Sequence, residues 1–125
     1  TFGGVTMNGC MEMNDTYGSG GYEMTDTWTI FGDPSLMLRT AVPQNLAVTH
    51  PATLSIGDMT MTISCPVEGA LATLSMGNEI LGSATVSGGS ATLVFYPGLD
   101  SIGDANLVVI AYNHIPSIDT IPIIS

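Results

Sequence analysis

From Leu46 onward the chain is a succession of short runs rich in β-branched residues, interrupted by Gly, Pro, Asn and Asp at intervals of about 8 to 12 residues. That spacing leaves no window for an amphipathic helix and restricts this part to an antiparallel sandwich or barrel. Met59, Met61, Ile63 and Cys65 alternate with Thr60, Thr62 and Ser64, which gives one apolar and one hydroxylic face, the pattern of a half-buried strand. In the next run, 70–76, Ala72, Leu74 and Met76 share a face. Gly77 and Asn78 offer the positive φ of a tight hairpin turn before a returning strand over 79–86. Gly88 and Gly89 mark a second turn into 91–96, which Pro97 and Gly98 close. The run 107–112 is the most continuously apolar and is expected at the centre of a sheet. The run 117–124, flanked and interrupted by Pro116 and Pro122, is expected at an edge, where a missing amide is tolerated. With 46–49 as the first, there are about seven strands, the number of an immunoglobulin-like β-sandwich, assigned to residues 41–125. Cys65 has no cysteine partner in 107–112, and the single tryptophan, Trp28, lies outside this region. The sandwich is therefore a generic immunoglobulin-like module, and such folds carry no chemistry of their own.

Residues 1–40 follow a different pattern. Met7, Cys10, Met11 and Asn14 fall at helical spacing within 1–17, although Gly3, Gly4 and Gly9 weaken a helix there. Residues 17–22 read as a glycine loop. Thr25 is placed to cap a short helix running through Trp28, Ile30 and Phe31, with Asp26 in its first turn, and Gly32, Asp33 and Pro34 to end it. Residues 35–39 are expected as a terminal strand or extended segment. A stretch this short cannot bury Phe2, Trp28, Ile30, Phe31, Leu36 and Leu38 by itself, so it implies a partner surface: the rest of an α/β domain, joined to the sandwich by the linker 40–45 with its Pro43.

Charge narrows the partners. Eleven acidic residues against one basic residue, Arg39, give a net charge of −10, a field that repels nucleic acid and anionic lipid. The carboxylates are scattered from Glu12 to Asp119 without forming a run, as on a solvated surface. No apolar stretch approaches the roughly 20 residues of a membrane span. The chain opens at Thr1 without the charged start and apolar run of a signal peptide, so its true N-terminus is expected upstream or removed.

Cysteine with histidine is the one nucleophilic pair on offer, because a thiolate needs a base or cation beside it. The candidates are Cys10 and Cys65 with His50 and His114. Cys65 lies on an apolar strand face and reads as an inert core thiol. His50 and His114 lie beside prolines and read as solvated, and Cys10 reads as a core residue of the incomplete domain. A bridge between Cys10 and Cys65 is left open by the sequence. The stretch Gly18, Ser19, Gly20, Gly21 lacks the lysine and the preceding strand of a phosphate-binding turn and reads as a flexible connection. Asn14, Asp15, Glu23 and Asp26 are oxygen donors suited to calcium, but their spacing fits no EF-hand loop, and separate surface roles lead. Met59, Met61 and Met76 fall on core faces and are packing residues before they are metal ligands.

The segments TFGGVTMNGCMEM at 1–13 and DTWTIFGDPSLMLRT at 26–40 resemble the end of the catalytic domain of gingipain-type cysteine peptidases, with the lysine-specific kind as the nearer match. LAVTHPATLSIGDMTMTISC at 46–65 and GALATLSMGNEILGSATV at 69–86 are similar to the immunoglobulin-like domain that follows it. Trp28 with FGDPS at 31–35 is the most specific element. The resemblance implies a mainly β chain: an immunoglobulin-like sandwich over 41–125 preceded at 1–40 by the C-terminal piece of a caspase-like α/β domain. The parent would be a secreted or cell-surface bacterial endopeptidase exported by the type IX pathway, acting on protein substrates with a cysteine and a histidine. Neither catalytic motif matches a position in this chain, so no catalytic residue is assigned to Cys10, Cys65 or any other. The resemblance also implies calcium in the parent, with none required by this chain. The reading is thus a non-catalytic fragment that supports the catalytic domain, its partner being the remainder of that domain. The alternative is an adhesion or assembly module of a surface protein without peptidase activity, binding other chains through its edge strands.

Overall fold

The computed structural model describes every residue from Thr1 to Ser125. The chain divides into two compact units, Thr1–Thr40 and Ala41–Ser125.

The first unit holds two helices, α1 (Phe2–Tyr17) and α2 (Ser19–Thr25). The 3–4 spacing does produce a helix despite its glycines. The Thr1 hydroxyl accepts from the Gly4 amide at 3.2 Å, and the free amides of Phe2 and Gly3 donate to the carbonyls of Leu36 at 2.7 Å and Pro34 at 2.9 Å. The segment after α2 thus satisfies donors that a helix start leaves orphaned. The expected glycine loop is instead helical. Gly18 alone, at φ +56°, makes the break, and Gly21 lets α2 lie against α1: a Cβ there would sit 2.5 Å from the Met13 carbonyl oxygen. The expected helix from Thr25 through Phe31 does not form. Thr25 is the last residue of α2, and its hydroxyl, which would have capped a new helix, donates to Asn14 Oδ1 of α1 at 2.8 Å. Residues 35–39 carry no strand pairing, so of the two forms expected there the strand is excluded.

The second unit contains nine strands: β1 (Gln44–Asn45), β2 (Leu54–Ser55), β3 (Thr60–Ser64), β4 (Leu71–Met76), β5 (Glu79–Thr85), β6 (Ser90–Val94), β7 (Gly103–Ile110), β8 (His114–Ile115) and β9 (Ser117–Ile124). A five-stranded sheet runs in the order β2-β9-β7-β4-β5 and faces the antiparallel pair β3-β6, while β1 and β8 form a short parallel pair. The inward positions alternate as the sequence requires. Met61, Ile63, Ala91 and Leu93 come from the small sheet; Ala72, Leu74, Ala105, Leu107, Val109, Ile121 and Ile123 come from the large one, all within a single apolar core with Phe95. β7 is central, paired with β4 on one side and β9 on the other, as its apolar run predicts. The molecule is mainly β, with two short helices.

Several details differ from the sequence reading. β9 is an edge only in part: opposite β7 its residues 117–122 have no second neighbour, and β2 pairs in parallel with its last two residues, Ile123 and Ile124. Pro122, registered with Asp104 of β7, thus lies in the stretch that β2 does not reach. Residues 46–49 form no regular strand. Thr49 makes one bridge to Ser64, and Leu46 and Val48 pack on the core from an irregular segment. Met59 precedes β3 and is half-exposed, and Met76 is only partly buried, because strand alternation holds only where the ladder is formed. In the β4–β5 hairpin Gly77 alone has positive φ, at +60°, the pattern of a type II′ turn. Gly88 and Gly89, at +62° and +84°, both do, the pattern of type I′.

Candidate functional site

Each candidate nucleophile or base has a definite place in its own unit. Both cysteines are free thiols, Cys65 buried and Cys10 partly exposed on α1. Cys65 follows β3, its amide donating to the Gly89 carbonyl at 3.0 Å. Its side chain lies in a core that buries no polar or charged residue. No base or cation stands beside the thiol, and a thiolate there would be desolvated, so it is chemically inert.

The histidines are not solvated as expected; both are partly buried and engaged. His50 Nδ1 lies 2.9 Å from the Pro51 carbonyl, and Nε2 lies 3.7 Å from Asp119 Oδ2. The same carboxylate oxygen accepts from Ser117 Oγ at 3.1 Å. Serine, aspartate and histidine therefore meet, but in the wrong connectivity for nucleophilic catalysis: the hydroxyl bonds the carboxylate and not the imidazole, so nothing withdraws its proton. This cluster was not legible in the sequence, because His50 reaches β9 only through the tertiary fold. His114 on β8 turns Nδ1 to the Tyr112 carbonyl at 2.7 Å.

Of the candidate calcium donors, Asn14 Oδ1 accepts from the Thr25 hydroxyl, Asp15, Glu23 and Asp26 are exposed, and no three acidic, histidine or cysteine side chains are grouped. One carboxyl is perturbed: hydrogen bonds from Ser35, including its amide at 2.8 Å to Oδ1, hold Asp33 below the ordinary aspartate value. Gly20 and Gly21 lie inside α2, so no phosphate cradle is formed. No helix is long and apolar enough to cross a membrane.

What the first unit does present is an apolar surface. Gly21 is its only buried residue. Val5, Met7, Met11, Trp28, Phe31 and Leu36 are all more than half exposed, Phe31 by 87%. Large apolar side chains exposed in this number are characteristic of a surface that packs on a partner.

Comparison with known proteins agrees. Residues 49–123 match the family of the C-terminal immunoglobulin-like domain of peptidase family C25. The chain is 46% identical over 121 residues to Gingipain R1 of Porphyromonas gingivalis, covering 97% of this chain and 12% of that protein. It is 41% identical over 123 residues to Gingipain R2 of the same organism, covering 98% and 17%. Among solved structures it is similar to the Arg-specific cysteine proteinase gingipain R, with a TM-score of 0.76 and 41% identity over 98% of this chain and 28% of that one. The chain thus spans less than a fifth of the length of these curated relatives, and its likeness extends across both units. The relatives found are gingipains R, which corrects the expected nearness to the lysine-specific kind. The chain belongs to peptidase family C25, as the region carrying the C-terminal immunoglobulin-like domain of a gingipain-type cysteine peptidase.

Proposed function

We propose that this chain has a structural, non-catalytic role within a gingipain-like cysteine endopeptidase. Residues 1–40 complete the peptidase domain and residues 41–125 form the immunoglobulin-like module that follows it. The observation that carries this reading is the first unit's lack of a core: Gly21 is buried and the large apolar side chains are not. Such a unit gains its stability from a surface supplied by the remainder of the peptidase domain. The parent is arginine-directed, which the likeness to Gingipain R1 and R2 supports, acts on protein substrates, and is secreted or held at the bacterial surface. Its nucleophile and base belong to residues outside this chain; the inert Cys65 and the engaged His50 and His114 support that division.

Amide hydrogen exchange tests the reading. In this chain alone, the amides of α1 and α2 should exchange near the unprotected rate while those of β4 and β7 are strongly protected; within the full-length parent, both sets should be protected. Strong protection of α1 and α2 in the isolated chain would show that the first unit is self-sufficient and would sink the proposal.

A further inference from the structure

Beyond its packing role, the sandwich carries a small cleft at the end where the β4–β5 hairpin approaches the segment that follows β6. Its lining includes the apolar Ile80, Leu81 and Phe95 together with Glu79, Tyr96 and Asp100. At about 90 Å³ it is far below the roughly 300–1,000 Å³ of a small-molecule site. It has room for one side chain.

The residues around it are unusual for a solvated hairpin end. Tyr96 is 93% exposed and Ile80 is 68% exposed, so neither contributes its apolar surface to the core. Glu79 and Asp100 have no cationic partner within the chain; Asp100 accepts only a hydroxyl, from Ser101 at 2.8 Å. A chain with one basic residue and a net charge of −10 has almost nothing of its own to place there. A cation that pairs with them has to come from outside the chain.

We infer that this cleft receives an arginine side chain presented by a partner polypeptide. A long cationic side chain is the chemistry that uses every part of the cleft. Its methylene stem lies on Ile80 and Leu81, as such stems do along apolar surface. Its head meets the carboxylates of Glu79 and Asp100 and the face of Tyr96. A guanidinium is preferred to an ammonium because its plane stacks on an aromatic ring, its fork pairs with carboxylates, and its weaker hydration makes partial burial easier. The inference is independent of the packing role of residues 1–40, since every residue it names lies in the sandwich.

The test is a titration of the complete ¹⁵N-labelled chain with a capped Gly-Ile-Arg-Ile-Gly peptide, followed by amide chemical shifts up to about 5 mM, enough to detect millimolar affinity. The expected result is saturable movement of amides in 79–81 and 98–101, weakened by added salt and reduced at least roughly tenfold in Glu79→Gln/Asp100→Asn and in Tyr96→Ala. All three positions are exposed, and an otherwise unchanged amide spectrum verifies that the variants fold. The same peptide with citrulline, the neutral isostere of arginine, should not bind. Absence of saturable shifts, shifts that survive the variants, or equal binding of the citrulline peptide would overturn the inference; equal binding of a lysine peptide would overturn the preference for guanidinium.

Discussion

Replacing Gly82 with alanine probes how the sandwich closes its open side. Gly82 lies on β5, the edge of the five-stranded sheet, and its φ is not positive, so alanine meets no backbone strain. If β5 were a free edge, the substitution would stabilise the domain by about 0.4–1 kcal/mol, by restricting the unfolded chain. In the structure a Cβ at this position would stand 2.9 Å from the Val94 carbonyl oxygen and 3.0 Å from Phe95 Cδ1. Normal contact distances of about 3.5–4.0 Å require β5 and β6 to separate by roughly 0.5–1 Å. The obstructing oxygen belongs to the backbone and cannot turn aside. Overpacking of this kind costs about 1–3 kcal/mol, which leaves a net loss of about 1–2 kcal/mol after the entropic gain. For a domain of this size that is a fall in Tm of roughly 5–15 °C, measured by circular dichroism or calorimetry on the sandwich transition. Phe95→Leu should cost less in the Gly82→Ala background than alone, because it relieves the ring contact, though it leaves the carbonyl contact in place. An unchanged or raised Tm for Gly82→Ala would refute the close approach of the two strands, since the two readings predict opposite signs.

Three further outcomes follow from the same structure. Cys65→Ser places a hydroxyl among apolar side chains with no polar neighbour and should destabilise the sandwich by about 1–3 kcal/mol; in the unmodified chain a water-soluble disulfide reagent should modify Cys10 well before Cys65. Trp28→Ala should change the stability of the isolated chain by less than about 0.5 kcal/mol, as its side chain is more than half exposed, but should cost about 3–5 kcal/mol in the full-length parent if the proposed interface buries it; equal small effects in both would remove Trp28 from that interface. The hydrogen bonds from Ser35 lower the Asp33 pKa, so their contribution is complete above the ordinary value of 3.8 and is lost as pH falls through the lower folded value. The Ser35 amide resonance should therefore titrate with a midpoint below 3.8 and cease to do so in Asp33→Asn; a midpoint at or above the ordinary value would contradict the bond.

The sandwich was legible because its information is local. The alternation through Met61 and Ile63, the glycine turns at Gly77 and Gly88, and the apolar run that became β7 each encode a strand or turn within a few residues, and the core follows from putting their apolar faces together. The apolar side chains of 1–40 already pointed to a partner surface. Tertiary contacts decided the rest. Whether Thr25 began a helix or ended one turned on a hydroxyl bond to Asn14, eleven residues away. How much of 117–124 lay at an edge turned on β2, a two-residue strand too short to be seen as a pattern. The meeting of His50 with Asp119 and Ser117, and the cleft beneath Tyr96, were likewise invisible, since each joins residues whose spacing along the chain carries no period. Local propensity and alternation fix which segments become strands; only three-dimensional packing selects their neighbours, because a pairing energy belongs to two segments at once and is written in neither.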